Sequence, residues 1–168
     1  MNDSSLALNL SVQRLQGKIY NHDFVREIIE QAAILYNSKK SGILELGGGV
    51  PKNAAQQTAP LLDQILRRND DGQDYIIQIT DARPDTGGLS GASMQEGKSW
   101  GKVQDAHEGM VTVYADATIA FPILALYVLS NQKIRKPKRL YKKLDKLYEK
   151  LSEDYFKNPD NKKKKSKN

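Results

Sequence analysis

The chain has 168 residues, enough for one domain with its own core. It contains no cysteine, which excludes disulfides, thiolate metal sites and a cysteine nucleophile. The formal net charge is +6, but the last 37 residues hold 15 Lys or Arg against 5 Asp or Glu, so the first 131 carry a net charge of −4. An acidic body suits a cationic small molecule better than phosphates, and we expect no nucleic-acid site there.

The sequence predicts neither a signal peptide nor a membrane-spanning segment. The opening MNDSSLALNLSVQRL lacks the basic start and the apolar run of a signal peptide. The longest apolar stretch, Phe121–Leu129, is too short to span a bilayer. We therefore expect a cytoplasmic protein without membrane contact.

Apolar residues at helical spacing predict the first helix over residues 22–39, with Asn21 as its cap. Its inward face is predicted to consist of Phe24, Ile28, Ala32 and Leu35. A second helix is predicted from Pro51, kinked or interrupted at Pro60. Its inward residues are predicted to be Leu61, Leu62, Ile65 and Leu66.

Three short runs rich in β-branched and apolar residues predict strands, at Gly42–Leu46, Asp74–Thr80 and Val111–Ala115. A further helix is predicted from Ala117 to about Asn131. Strands that alternate with helices predict an α/β fold with a parallel sheet covered on both faces.

The remaining chain is rich in lysine. Leucines at 140, 144, 147 and 151 lie on one stripe and predict an amphipathic helix over residues 136–157. Docking on the body is the main interpretation, with a coiled coil or a membrane-surface helix as alternatives. Residues 158–168 are predicted to be a disordered basic tail, with contact to RNA or an acidic partner as the alternative. The boundaries are thus 1–135, 136–157 and 158–168.

Three glycines, Gly47, Gly48 and Gly49, follow the first predicted strand and open a helix. In that position backbone N–H groups can approach a phosphate at the helix N-terminus. The pattern is neither GxGxxG nor a P-loop, so a tight structural turn remains an alternative.

The segment between the second and third strands, residues 81–109, is long and glycine-rich, which is typical of functional loops. It gathers Asp85, Glu96, Trp100 and Lys102. Carboxylates beside a tryptophan suit an ammonium ligand through ion pairing and cation–π contact. A lysine in dry surroundings can act as an amine nucleophile. The alternative is an acidic surface loop with an anchoring tryptophan and a solvated lysine.

Asp116 follows the third strand and precedes a helix. It is either an N-cap or an acceptor for a ribose hydroxyl at the carboxyl edge of the sheet. The two histidines, His22 and His107, show no metal-ligand spacing. We expect them to be surface or capping residues, and no metal site is predicted.

Three segments taken together resemble the deoxyhypusine synthase family: SGILELGGGVPKN, then EGKSWGKV at the end of the long loop, then VYADATIAFP. The resemblance covers about Asp3–Ala125, and the residues in its motifs are closest to those of the bacterial and archaeal-like branch. It implies a partial Rossmann-like fold, equivalent to the C-terminal half of such a synthase, with NAD as cofactor. It also implies transfer of an aminobutyl group from spermidine, through an imine on an active-site lysine, to a lysine of a translation factor.

The resemblance assigns roles residue by residue. Lys102 corresponds to the imine-forming lysine. The implied substrate-binding residues are Asp85, Ser90, Glu96, Trp100, Asn53 and Gln57. The implied cofactor-binding residues are Asp3, Gly48, Gly49, Thr80, Asp81, Asp116 and Ala117.

Departures from the family pattern leave the acceptor open. Asn53 stands where animal members have histidine, Gln57 where they have asparagine, and Leu8 where a polyamine-binding aspartate is found. A homospermidine-type synthase with a small amine acceptor is therefore an alternative. Since the family's N-terminal half is not matched, a non-catalytic subunit is another. We expect a homo-oligomer, or assembly with a chain that carries the complementary N-terminal half.

Overall fold

Three parallel strands form the central sheet. The computed structural model describes residues 5–20, 23–68, 72–99, 102, 109–133 and 135–157. The strands are β1 (Gly42–Leu46), β2 (Tyr75–Thr80) and β3 (Met110–Tyr114), in the spatial order β1-β2-β3. The register pairs Leu44 with Ile77, and Ile77 with Val111. Helices flank the sheet, which makes the fold α/β and consistent with a partial Rossmann-like arrangement.

The helices follow the predicted alternation in most places. In chain order they are α1 (Ser5–Leu15), α2 (Phe24–Tyr36), α3 (Gly49–Gln56), α4 (Thr58–Pro60), α5 (Met94–Ser99), α6 (Ala117–Asn131) and α7 (Leu144–Lys157). A π-helical turn, Leu61–Ile65, continues α4, and 3-10 turns lie at Pro84–Thr86, Leu89–Gly91 and Leu140–Lys143. The long loop thus contains α5 and two 3-10 turns.

The main hydrophobic core lies between α2, α4, the π-helical turn and α7. Its fully packed members are Ala32, Ala33, Leu35, Ala59, Leu62 and Leu151. Polar bonds reinforce the docking of α7 on α2: the Tyr36 hydroxyl donates to Asp154 Oδ2 at 2.9 Å, and Arg26 Nη2 to Asp145 Oδ1 at 2.9 Å. We call these four elements the packed region.

The two faces of the sheet differ. Ile76, Gln78 and Thr80 lie on one face of β2 and are buried. The opposite face carries five aliphatic residues that are 37–54% exposed, and we call it the open face: Leu44, Leu46, Ile77, Val111 and Val113. The prediction of a sheet covered on both faces therefore does not hold for the described residues, because only Ile79 on that side is buried.

Helix α6 is apolar around its whole circumference, and none of its residues is buried. Ile119, Ile123, Leu126 and Leu129 are each at least 60% exposed. An all-round apolar helix is normally found inside a larger protein body. No helix among the described residues has the length and apolar character needed to cross a membrane.

Two predicted inward faces are wrong in part. Helix α2 begins at Phe24, and Asp23 caps it by accepting from Arg26 N at 2.9 Å; the predicted cap, Asn21, lies outside the described residues. Phe24 is 67% exposed and Ile28 40% exposed, because the residues of α2 that contact the buried core begin at Ile29.

Ile65 was also predicted to face inward, but it is 69% exposed. The π-helical turn causes the difference, since Leu66 N bonds to Leu61 O, five residues back, at 2.9 Å. The wider turn changes the angular position of the following residues relative to an α-helix. Leu62 is fully buried, as predicted.

Candidate active site

A cleft of about 210 Å³ opens between α3 and the loop that contains α5. Its charged and amide side chains are those of Lys52, Asn53, Gln56, Gln57, Glu96 and Lys102. We call it the Lys102 cleft.

The polar lining on α3 follows from helical geometry. Gly48 adopts φ 67°, in the left-handed region that favours glycine, and turns the chain from β1 into α3. Pro51 then occupies the first turn of α3, where its missing N–H costs nothing. Lys52 and Gln56, and likewise Asn53 and Gln57, are four residues apart and therefore share one side of the helix.

The Lys102 side chain reaches α3. Its Nζ donates to Asn53 Oδ1 at 2.7 Å, and its backbone N–H donates to Gly97 O at 3.0 Å. The bond joins two residues that are 49 positions apart in the chain. The amine is thus held at the cleft in a fixed direction.

A buried polar cluster lies beside the cleft. Lys52 and Glu45 are each only 5% exposed. Lys52 Nζ donates to Ala92 O at 2.7 Å, and Gln56 Nε2 donates to Glu45 Oε1 at 2.7 Å. Burial raises the pKa of Glu45 and lowers the pKa of Lys52. Sequence reasoning missed these residues, and the only signal was a charged residue within the apolar strand GILEL.

Four of the predicted substrate or catalytic residues meet in the Lys102 cleft: Asn53, Gln57, Glu96 and Lys102. The residue types fit a site that handles amines, because an amide oxygen and a carboxylate both accept hydrogen bonds from ammonium groups. The roles of these residues remain predictions.

Other predicted substrate residues lie elsewhere. Asp85 is exposed in the Pro84–Thr86 turn and does not line the cleft. Ser90 is half-buried in the next turn, where its carbonyl accepts from Gln78 Nε2 at 2.7 Å. Trp100 falls outside the described residues, as do Asp3, His22 and His107.

The described residues predicted to bind the cofactor share one edge of the sheet. Gly48 and Gly49 follow β1, Thr80 ends β2 with Asp81 next, and Asp116 with Ala117 follows β3. Adjacent parallel strands place their carboxyl ends at the same edge, which is where open α/β sheets bind ligands.

Gly47, Gly48 and Gly49, which we call the glycine turn, have two structural roles. Gly47 and Gly48 have φ values of 57° and 67°, which other residues adopt only with strain. A Cβ on Gly49 would come within 2.6 Å of Leu89 Cβ and 2.9 Å of Ser90 N. The third glycine is therefore required by the approach of the long loop, whereas space remains open at Gly47.

Asp116 is the N-cap of α6. Its Oδ1 accepts from the Thr118 hydroxyl at 2.6 Å and from Thr118 N at 2.7 Å. These hydrogen bonds lower its pKa, the hydroxyl contributing most. The capping interpretation is observed, and the ionised carboxylate at the sheet edge still suits a hydroxyl donor.

Two larger cavities, of about 350 and 590 Å³, lie near the start of β1. Lys40, Arg135 and Lys138 line both. Neither contains a residue predicted for the site, so their size does not identify them with it.

Comparison with known proteins gives the family. The family model for deoxyhypusine synthase matches residues 1–128. The "Deoxyhypusine synthase-like protein" of Nostoc sp. (strain PCC 7120) is 43% identical over 159 residues, which covers 92% of this chain and 42% of the relative. "Probable deoxyhypusine synthase 2" of Methanosarcina acetivorans is 40% identical over 125 residues, or 74% of this chain and 36% of the relative.

A second archaeal relative gives a similar result. "Probable deoxyhypusine synthase 2" of Archaeoglobus fulgidus is 41% identical over 123 residues, or 73% of this chain and 40% of the relative. The chain thus spans about two fifths of the length of the curated relatives it matches. The chain belongs to the deoxyhypusine synthase family.

Proposed function

We propose that the chain supplies the lysine-bearing part of an NAD-dependent enzyme that moves an aminobutyl group from spermidine through an imine on Lys102. The observation that carries this proposal is the position of the Lys102 amine, bonded to Asn53 in a cleft that also holds Glu96 and Gln57. An amine nucleophile, a carboxylate and three amides in one cleft can bind and react with a polyamine.

The chemistry assigned to Lys102 is transimination. Its unprotonated amine adds to the C=N carbon of an oxidised spermidine, forming a new bond to the aminobutyl carbon. The old C–N bond then breaks and 1,3-diaminopropane leaves with the proton that it needs. An acceptor amine repeats the exchange and releases Lys102. A fixed amine lowers the entropic cost of each addition.

The sheet edge fits a dinucleotide in part. Gly47 leaves open space beside a backbone turn at positive φ, and Asp116 offers an ionised carboxylate at the same edge. Gly48, Gly49, Thr80, Asp81, Asp116 and Ala117 are the described residues that would hold NAD. When bound, NAD supplies hydride removal from the donor and hydride return to the product.

The number of carboxylates in the cleft is relevant to how a polyamine could bind there. Glu96 is the carboxylate that lines it, and Lys52 and Lys102 are the lysines. Asp85 does not join Glu96 there, so a second carboxylate for a polyamine must come from residues outside the described cleft lining. A complementary chain is the source that we propose, because the resemblance assigns Asp3 to the cofactor and places Leu8 where the family has a polyamine-binding aspartate.

Two acceptors remain for the same chemistry. A lysine of a translation factor is the family's acceptor, and a small amine such as putrescine is the alternative that Asn53 suggests. In the structure Asn53 accepts from Lys102, a function that a neutral amide oxygen performs at any pH. Leu8, another of the three departures, is 70% exposed on α1 and does not line the cleft.

Because the chain spans about two fifths of its relatives, we propose that activity needs association, either between copies or with a chain carrying the remaining part of the fold. The open face is consistent with that, since parallel sheets are usually covered on both faces. A non-catalytic subunit is the outcome if no assembly yields an adduct.

The test is covalent trapping. The protein is incubated with NAD and labelled spermidine, alone and with candidate partner chains, then reduced with borohydride and mapped by mass spectrometry. We expect the label on Lys102 and its loss in Lys102→Arg, with far-UV circular dichroism unchanged. A reaction without NAD is the control. Label on Lys98 or Lys52 would contradict the assignment.

Acceptor identity needs a second measurement. Product analysis with spermidine plus putrescine, and separately with spermidine plus the translation factor, distinguishes the two acceptors. Homospermidine as the main product would replace the protein acceptor by the small amine.

A further inference from the structure

Lys52 is a lysine in an unusual place. Only 5% of it is exposed, although lysine is almost never fully buried without a partner. Its Nζ donates to the carbonyl of Ala92 at 2.7 Å, across 40 positions of the chain. The bond connects α3 directly to the long loop. Because burying a charged group costs free energy, a buried lysine indicates a structural or functional role rather than a contribution to solubility.

Burial and the charges of neighbouring residues both affect the ammonium group of Lys52. Burial is the main cause that lowers its pKa, and Glu45 and Glu96 oppose that shift. Glu45 is itself buried: its Oε1 accepts from Gln56 Nε2, and its Oε2 has no hydrogen-bond partner among the residues that the structure describes. Lys102 is the other cation that acts on Lys52. The ammonium is thus close enough to Glu45, Glu96 and Lys102 for their charges to affect it.

Two successive residues of α3 tie the loop at both ends of α5. Lys52 bonds to Ala92, which precedes α5 (Met94–Ser99), and Asn53 bonds to Lys102, which follows it. Between these two ties lies Glu96, the carboxylate of the cleft. Removing the Lys52 bond frees the residue next to α5 from α3, and the nearer anchor that stays is the bond from Gln78 Nε2 to the Ser90 carbonyl, two residues earlier.

We propose that Lys52 is a positioning residue that fixes α5 against α3, so that Glu96 and Lys102 keep a constant separation across the cleft. The inference rests on the proposed function for its consequence in catalysis, but the tie itself is testable without activity. Lys52 does not form the imine. It sets the geometry in which Lys102 does so.

The first experiment measures the tie directly. Amide hydrogen exchange of peptides covering residues 89–99 is compared between wild type, Lys52→Met and Lys98→Met. Methionine keeps an unbranched apolar stem and removes the charge and the donor. Lys98 lies exposed on α5 and does not line the cleft, so it is the matched control. We expect faster exchange in Lys52→Met alone.

The second experiment measures the consequence. In the assembly that yields the trapped adduct, Lys52→Met should lower the single-turnover trapping rate by about 10²-fold, the usual cost of misplacing a reacting group by about 1 Å. The Kd for NAD should stay unchanged, because the predicted cofactor residues lie at the sheet edge. Lys52→Arg, which keeps the charge and the donors, should recover part of the rate.

The outcomes separate the two proposals. If wild type forms no adduct in any assembly, the proposed function fails, and hydrogen exchange still decides whether Lys52 ties the loop. Unchanged exchange in Lys52→Met, or a wild-type trapping rate in that variant, overturns the inference. So does an equal loss of NAD affinity, which indicates a general structural role.

A measurement on wild type covers the case in which Lys52→Met does not fold. Limited acetylation followed by mass spectrometry should modify Lys98 quickly and Lys52 slowly. Equal rates for the two lysines overturn the inference.

Discussion

The packed region and the β3–α6 region show opposite burial, although α6 is more apolar than either α2 or α7. In the packed region Ala32, Leu62 and Leu151 are at most 2% exposed. In the other, Val111 is 54% exposed and Ile123 67% exposed. Apolar composition therefore does not decide burial here, and the availability of a packing partner does.

The contrast indicates which apolar surfaces have a packing partner within the described residues and which do not. Large contiguous apolar surface on a protein usually marks an interaction site. The open face and α6 belong to the same part of the fold as β3, whose carboxyl end carries Asp116. The proposed cofactor edge thus lies beside a large exposed apolar surface of the described chain.

The largest expected effect is on stability. Leu62→Ala should lower the free energy of unfolding by about 2–5 kcal/mol, the usual cost of truncating a buried leucine. Ile123→Ala in the unassociated chain should change it by less than about 0.5 kcal/mol, as for surface substitutions. Urea unfolding of both variants measures the difference. Equal losses would show that α6 is already packed in solution.

The next effect concerns association. We expect the wild-type mass to rise with concentration in analytical ultracentrifugation, and Val111→Asp to reduce this, because a charge on the open face opposes its burial. Tyr141→Asp is the matched control, since Tyr141 is 66% exposed outside that face. A monomer at all concentrations that binds NAD and releases diaminopropane would contradict the need for association.

A smaller effect concerns the pH dependence of stability, and it tests the burial of Glu45 on the covered face of the sheet. Burial raises the pKa of Glu45 above its unfolded value, so its stabilising contribution is fully present below the ordinary carboxyl pKa and is lost as pH rises through the folded pKa. The stability of wild type relative to Glu45→Gln should therefore fall as pH rises from the ordinary carboxyl pKa through the raised pKa of the folded state. Thermal unfolding of both proteins across that range measures the trend. A constant difference would mean that Glu45 is not desolvated.

The smallest effect is expected at the basic tail. Deletion of residues 158–168 should leave the thermal midpoint of unfolding unchanged, because so polar a segment cannot offset its ordering entropy. Differential scanning calorimetry of the two chains is sufficient. A fall of several degrees would show that the tail is docked on the packed region.

Local patterns predicted much of the fold. The strands and α6 agree with the predicted runs to within a residue or so, since short apolar runs and a capping aspartate are local signals. Helix α1 was not predicted, because Leu8, Leu10 and Val12 alternate with polar residues at the period of a strand.

The cleft could be predicted only in part. The resemblance assigned Asn53 and Lys102 to one site, but their hydrogen bond spans 49 positions and no local pattern contains it. The burial of Lys52 was equally hidden, because VPKN looks like an exposed first helical turn. Exposure of Phe24 depends on what packs beside it, which the sequence of α2 does not encode.

The contact between Gly49 and the Leu89–Ser90 backbone has an evolutionary consequence. A side chain at position 49 would displace the loop, so the two segments cannot diverge independently. Any homologous sequence that loses this glycine must also rebuild the loop, and substitutions at the two places should be inherited together. The pair thus links the history of the glycine turn to that of the long loop.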